Sequence, residues 1–449
     1  MHFLWCLKSH SLHWLDLTGL PQAPQRNLTG TGLDNISLEL SKESTSLEKV
    51  PKPMTTTSNM TKYNKVTMSV ICLFVLASIF GINKYFTLSV FVKEDFKKLS
   101  FQDTISEIPH VIPKVTKILV VAYMRSGSSF TAESLQHGPD VSFYSFEPLW
   151  NVVKSSIDAM DCKGSNCSVV NRTDELSQTT ASIIKNIFEC KMSALPDEAL
   201  YAFSFFRQLR DHERLKNCFP KPEEFKQITN NARLSSMMER KSQCLSFLES
   251  RCRNSTVRVI KTIRMSLHLC KDLSKTIENM KILHLVRDPR ASVYSRRNLG
   301  LDFSNSSVKI LCNRMSHDID EGQLIGSYFP GRFYSLRYEC LARNPETVLK
   351  KMYNDMSLEY DSETEKWMQL YMKSQDRGQN GYQVFQSNSS SRSTNWRLRI
   401  PYIDTQNIDS LCKDVYTNIG ARSFNSAMEL ENLGMSDMYV TPYTERYCK

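Results

Sequence analysis

Nowhere in these 449 residues does Gly-Lys stand before Ser or Thr, so the G-x-x-x-x-G-K-[ST] loop of ATP- and GTP-using enzymes is missing. With it go the lysine that reaches the terminal phosphates and the hydroxyl that ligates magnesium, which argues against a kinase or NTPase. No internal repeat is visible either. Acid is in short supply: 47 Asp and Glu face 57 Lys and Arg, a formal charge of +10. That balance favours anionic partners such as nucleotides, acidic glycans, nucleic acid or a membrane surface, with a merely solvated basic surface as the plain alternative. The length allows one large α/β domain or two smaller ones.

Charge is absent altogether from Val66 to Ile82, "VTMSVICLFVLASIFGI", a run bracketed by Lys65 and Lys84. Roughly seventeen apolar residues is the short end of a bilayer span, and short spans suit the thinner membranes of the early secretory pathway. Residues 66–83 are expected to be a single transmembrane signal-anchor. It follows a disordered cytosolic tail (1–65) and precedes a short stem (84–114). The flanking lysines are nearly balanced, so the positive-inside rule barely votes. Eleven of the 13 cysteines follow the anchor, as do the sequons at Asn166, Asn171, Asn254, Asn305 and Asn388. Both point to a luminal globular part, 115–449. Eleven is odd, so at least one cysteine is free or pairs between chains.

Within that part, strands and helices alternate. "KILVVAY" reads as a buried strand and "FTAESLQHG" as a helix, then "VSFYSFEP" as a second strand. "EFKQITNNARLSSMMERKSQCLSFLESRC" is helical, "RVIKTIRM" and "KILHLVRD" are β-rich, "RFYSLRYECL" is a strand, and "PETVLKKMYNDM" a helix opened by Pro345. The alternation predicts a P-loop-like parallel sheet flanked by helices, with ligands beyond the carboxyl ends of the strands.

"MRSGSS" sits where such a sheet would hold an anion. Arg125 offers a planar cationic fork, Gly127 lets the backbone come close, and Ser126, Ser128 and Ser129 can add hydroxyl donors. A serine-capped strand–helix turn is the bland alternative. In "LVRDPRASVYSRR", Arg287 closes a strand and Ser295 lies eight residues on. If a helix starts at Asp288, Ser295 points back toward the strand end, so Arg287 and Ser295 can clasp a second phosphate. Arg290, Arg296 and Arg297 add positive field. Asp288-Pro289 could pass for a metal carboxylate but reads better as an N-cap followed by a first-turn proline.

Taken together, "RSGSSF", "FYSFEPLW", "VIKTIR", "LHLVRDPRA…SR", "RYECLARNPE", "NWR" and "LCKDVYTNIG" resemble the Golgi carbohydrate 6-O-sulfotransferases from about Lys117 to Gly420. The resemblance implies a type II Golgi membrane enzyme of the sulfotransferase fold. It would move a sulfuryl group from 3′-phosphoadenosine 5′-phosphosulfate (PAPS) to a sugar hydroxyl, the 6-OH of Gal, GalNAc or GlcNAc. It also implies a glycan or glycosaminoglycan acceptor, no metal and no nucleic acid, with homo-oligomers left open. Arg125, Ser126, Gly127, Ser128, Ser129 and Phe130 would form the 5′-phosphosulfate loop, and Arg287 and Ser295 would bind the 3′-phosphate, with Arg296 beside them. Trp396 and Arg397 match a motif without a firm role. Asn344 stands where the family usually has aspartate, and the segment after Gly420 matches no family motif. Arg125 is expected to act in catalysis, and Glu147 is the candidate base, because related enzymes carry a glutamate on the strand after the loop. A Glu147 ion-paired to Arg125, or capping the next turn, is the alternative. His137, His268 and His284 are weaker candidates. A catalytically inactive glycan-binding relative is the competing function.

Overall fold

The computed structural model describes residues 115–449 apart from 140, 154–159, 164–165, 170–173, 222, 225–226 and 374–388. The expected tail, anchor and stem lie outside the described residues. Among the described residues no helix is long and apolar enough to cross a membrane.

Five strands make one parallel sheet: β1 (Thr116–Val121), β2 (Ser142–Phe146), β5 (Val257–Thr262), β6 (Met280–Val286) and β7 (Phe333–Arg337), in the order β2-β5-β1-β6-β7. The predicted parallel sheet is thus present. β3 (Met160–Lys163) and β4 (Asn166–Val169) form a separate antiparallel pair, in which the backbone register sets Cys162 opposite Cys167. Strands covered on both faces read as continuous apolar runs, and Ile118 to Val121 of β1 are fully buried. Val121 pairs with Thr262 on one side and His284 on the other, Phe146 with Lys261, and Val286 with Arg337. The carboxyl ends are therefore level, and whatever follows each strand gathers along one edge.

Helices complete the layers. They are α1 (Ser128–Glu133), α2 (Asp174–Phe188), α3 (Asp197–Phe205), α4 (Asn231–Arg253), α5 (Leu267–Thr276), α6 (Pro289–Arg297), α7 (Asn305–Tyr328), α8 (Tyr338–Arg343), α9 (Pro345–Met356), α10 (Ser362–Lys373) and α11 (Tyr402–Ile419). Three expectations need correcting. The helix after the loop ends at Glu133 and tightens into a 3-10 turn, where Ser134 Oγ donates to Thr131 O at 2.8 Å and competes with the helical ladder. The long helix starts at Asn231 rather than near Glu224, because the Asn230 side chain caps the amides of Ala232 and Arg233. "YECL" is helical, not strand: β7 stops at Arg337 and α8 begins at once.

Among the described residues four disulfides tie the domain, Cys190–Cys252, Cys218–Cys244, Cys312–Cys412 and Cys340–Cys448. Among the described residues Cys270 is a buried free thiol. The segment after Gly420, silent in sequence, packs back onto the sheet. Tyr443 is buried with its hydroxyl 2.5 Å from His284 Nδ1, and Ser335 Oγ donates to its carbonyl.

Candidate active site

The turn after β1 begins with Tyr123, whose carbonyl accepts from Ser126 N and Ser126 Oγ. Ser126 is fully buried, so its hydroxyl is used inside the loop rather than turned toward a ligand. This turn forces Arg125 to φ 68° and Gly127 to φ 90°. A Cβ on Gly127 would also lie 2.2 Å from Tyr338 Cδ2. Glycine is thus required twice, by the left-handed conformation and by the ring packed on it. Ser128, Ser129 and Phe130 open α1. Its first amides have no helical acceptor, and that is the part of a helix that favours an anion. Phe130 is buried and lies parallel to the Trp367 ring at 6.1 Å.

Arg287, next after β6, meets this loop. Its Nη1 donates to Arg125 O at 2.9 Å, and its guanidinium stacks 4.6 Å over the Tyr338 ring. Its Nε is buried without a hydrogen-bond partner among the described residues. An orphaned guanidinium N–H is costly unless an acceptor arrives. Ser295 does point back: Arg125 Nε donates to its Oγ at 3.0 Å, which leaves the Ser295 O–H able to donate. The two motifs, 170 residues apart in sequence, thus share one place. Arg296 is buried one residue further on.

Not every cation of the second motif faces that place. Arg290 is fully buried and forks onto Asp288, with Nε–Oδ1 3.0 Å and Nη2–Oδ2 2.8 Å. Burial pushes the Asp288 carboxyl up, but Arg290 outweighs it and holds the carboxyl below its usual range. Arg297 pairs with Asp404 at 2.5 Å. The field expected from Arg290 and Arg297 is therefore neutralised locally. Asp288 is the N-cap of α6, accepting from Arg290 N, with Pro289 in the first turn, as the capping reading requires.

Glu147 follows β2 at φ 50°, an uncommon conformation for a side chain larger than glycine. Its partners are neither Arg125 nor a turn amide alone. Lys261 Nζ lies 2.5 Å from Oε1, Arg264 Nη1 3.0 Å from Oε2, and Ile263 N donates to Oε2 at 3.4 Å. All three charged groups are nearly inaccessible. Burial lowers the Lys261 ammonium below its ordinary value. A buried carboxylate held by two cations is stable only as a set. Lys261 and Arg264 went unassigned in sequence, although a lysine inside the buried strand "VIKT" was the available signal.

The histidines separate clearly. His284 is enclosed by Tyr123 Oη (2.8 Å) and Tyr443 Oη, and burial pushes it down to about 4, so it is a satisfied core residue. His137 stacks on Trp367 at 4.2 Å and is likewise pushed down to about 4 by burial and Arg210. His268 is exposed and faces Glu321 at 3.2 Å. Arg397 of "NWR" has a structural role: it donates to the carbonyls of Leu430, Met435, Glu429 and Asn432 and so fixes the segment after Gly420. No group of three or more His, Cys, Asp or Glu that could hold a metal occurs among the described residues.

Comparison with known proteins gives the family. The family model for the Sulfotransferase family matches residues 117–362, which contain the loop, Glu147, Lys261, Arg287 and Ser295. Carbohydrate sulfotransferase 1 of Mus musculus is 24% identical over 361 residues, covering 72% of this chain and 84% of its own. Carbohydrate sulfotransferase 6 of Homo sapiens is 24% identical over 350 residues, covering 71% and 84%. A mouse sulfotransferase solved with PAP shares 13% identity over 70% of this chain and 88% of its own, with a TM-score of 0.32. With a matched stretch that spans the whole carboxyl edge of the sheet, the chain belongs to the sulfotransferase family, is a transferase enzyme, and has carbohydrate sulfotransferases among its relatives.

Proposed function

We propose that the protein transfers a sulfuryl group from PAPS to a sugar hydroxyl, the 6-OH of a galactose, N-acetylgalactosamine or N-acetylglucosamine in a glycan. The observation that carries this reading is the union of two anion-binding motifs through Arg125, which touches Ser295 by its side chain and Arg287 by its carbonyl. The residues fit a nucleotide with phosphates at both ends: the positive-φ turn at Arg125 and Gly127 shapes the loop, and the buried Arg287 Nε awaits an acceptor. The relatives' names supply the sugar class. The reading includes a Golgi type II membrane protein anchored at residues 66–83, its enzymatic part luminal.

When bound, PAPS supplies an activated sulfuryl group on a phosphate leaving group. Arg125 and the amides opening α1 hold that phosphate and stabilise its charge as it departs, each such donor contributing about 3 kcal/mol. Arg287 and Ser295 fix the far phosphate and so the line of attack. Glu147 is the candidate base for the acceptor's proton, and Lys261 and Arg264 fix the position of its two oxygens.

The test is label transfer from radioactive PAPS to desulfated keratan, desulfated chondroitin and N-acetylglucosamine-terminated acceptors, with Arg125→Ala as control. Transfer that Arg125→Ala abolishes supports the reading. A folded protein that binds these glycans yet labels none of them would establish the inactive relative instead.

A further inference from the structure

One turn beyond Glu147 an aromatic run leaves the active site and reaches solvent. Trp150 N donates to Glu147 O at 3.0 Å, closing a turn directly after the strand end. The run starts at Phe146, whose ring lies 4.4 Å from the Lys261 ammonium that holds Glu147. It continues through Phe206 (4.8 Å) to Trp150 (5.3 Å), and Trp150 stacks on Phe205 at 4.5 Å with only 23° between planes. Tyr201 lies nearly parallel to Trp150 on the same helix as Phe205, at 6.1 Å. Phe205, the last residue of α3, is 43% exposed. Arg207, two residues on, is exposed and makes no ion pair among the described residues.

Phe205 thus presents an aromatic face at the solvent end of the run, with Trp150 and Tyr201 half-buried beside it. The π faces are electron-rich, and the C–H face of a pyranose is apolar and weakly positive, so the two stack while the sugar hydroxyls stay in water. Arg207 at the rim complements sulfate or carboxylate on such a chain. Continuity with Glu147 makes the acceptor the occupant, because the run points from the candidate base outward. We propose that Trp150, Tyr201 and Phe205 form an acceptor subsite that stacks sugars next to the one being sulfated. This rests on the sugar-acceptor reading given above.

The test reads binding without donor, so that it stands apart from sulfuryl transfer. Calorimetry would compare an unsulfated tetrasaccharide of alternating galactose and N-acetylglucosamine with its disaccharide. The wild type should bind the tetrasaccharide about tenfold more tightly, Phe205→Ala should lose that advantage, and Phe205→Trp should keep it. Unchanged affinity of Phe205→Ala for adenosine 3′,5′-bisphosphate shows that the variant is folded. A tetrasaccharide advantage that survives Phe205→Ala, or is absent from the wild type, overturns the subsite. So does a shift from dimer to monomer in Phe205→Ala, which would assign the rings to a second copy of the chain. Failure of label transfer alone, with this binding pattern intact, would strike the sulfotransferase reading and spare the subsite.

Discussion

Arg287 carries three tasks in one side chain: it holds the loop carbonyl of Arg125, lies over Tyr338 and presents a buried, unpartnered Nε. A lysine offers one point charge and no fork, so Arg287→Lys should weaken donor binding by about 2 kcal/mol, near thirtyfold in donor KM. Steady-state kinetics at saturating acceptor would measure it, and a change under threefold would refute it. Glu133, at the end of α1, makes a different prediction. Burial pushes its carboxyl up to about 7. The folded state therefore keeps a proton that the unfolded state releases from about pH 4.5 upward, so ionisation costs stability progressively toward pH 7 and fully above it. Glu133→Gln should raise the melting temperature at pH 8, by an equivalent of about 2 kcal/mol, and leave it unchanged at pH 4. Equal shifts at both pH values would contradict the linkage. At this scale the sequence told which residues are cationic but not which are already matched. Arg287 and Arg290 look alike in "VRDPR", yet one faces the cradle and the other is locked to Asp288.

At the level of elements, the cradle is the junction of β1, α1 and α8. Gly127 and Tyr338 come from the two sides of that junction and interlock. Gly127→Ala would combine positive-φ strain with displacement of the Tyr338 ring, a cost of roughly 2 kcal/mol. Because Arg287 rests on the same ring, donor affinity should fall at least tenfold, while the far disulfide-tied helices keep their melting behaviour. Titration with adenosine 3′,5′-bisphosphate and circular dichroism would check both halves. The sheet itself was legible, since "KILVV", "RVIKT" and "KILHLV" are too continuous for one-sided strands. "YECL" was misread because four residues are too few to separate the two periods, and only the break at Arg337 decides. Lys261 was passed over because its partner Glu147 lies 114 residues away, on a strand that becomes a neighbour only through the parallel order β2-β5.

For the molecule as a whole, the two longest covalent closures span 100 and 108 residues, Cys312–Cys412 and Cys340–Cys448. Closing loops of that size constrains the unfolded chain by about 4 to 5 kcal/mol each in the chain-entropy account. Removing Cys340–Cys448 with a double serine variant should lower the melting temperature clearly, whereas Cys270→Ser, outside any bond, should shift it far less. Differential scanning calorimetry would rank them, and equal shifts would show the long closure to be unimportant. The far segment could not be read from its own residues, because Arg397, His284 and Ser335, which anchor it, come from remote parts of the chain.

Cys340 lies two positions after Tyr338, so Cys448 is bonded to the short helix that roofs Gly127. Reducing that bond would therefore loosen the roof over Gly127 from a point 108 residues along the chain.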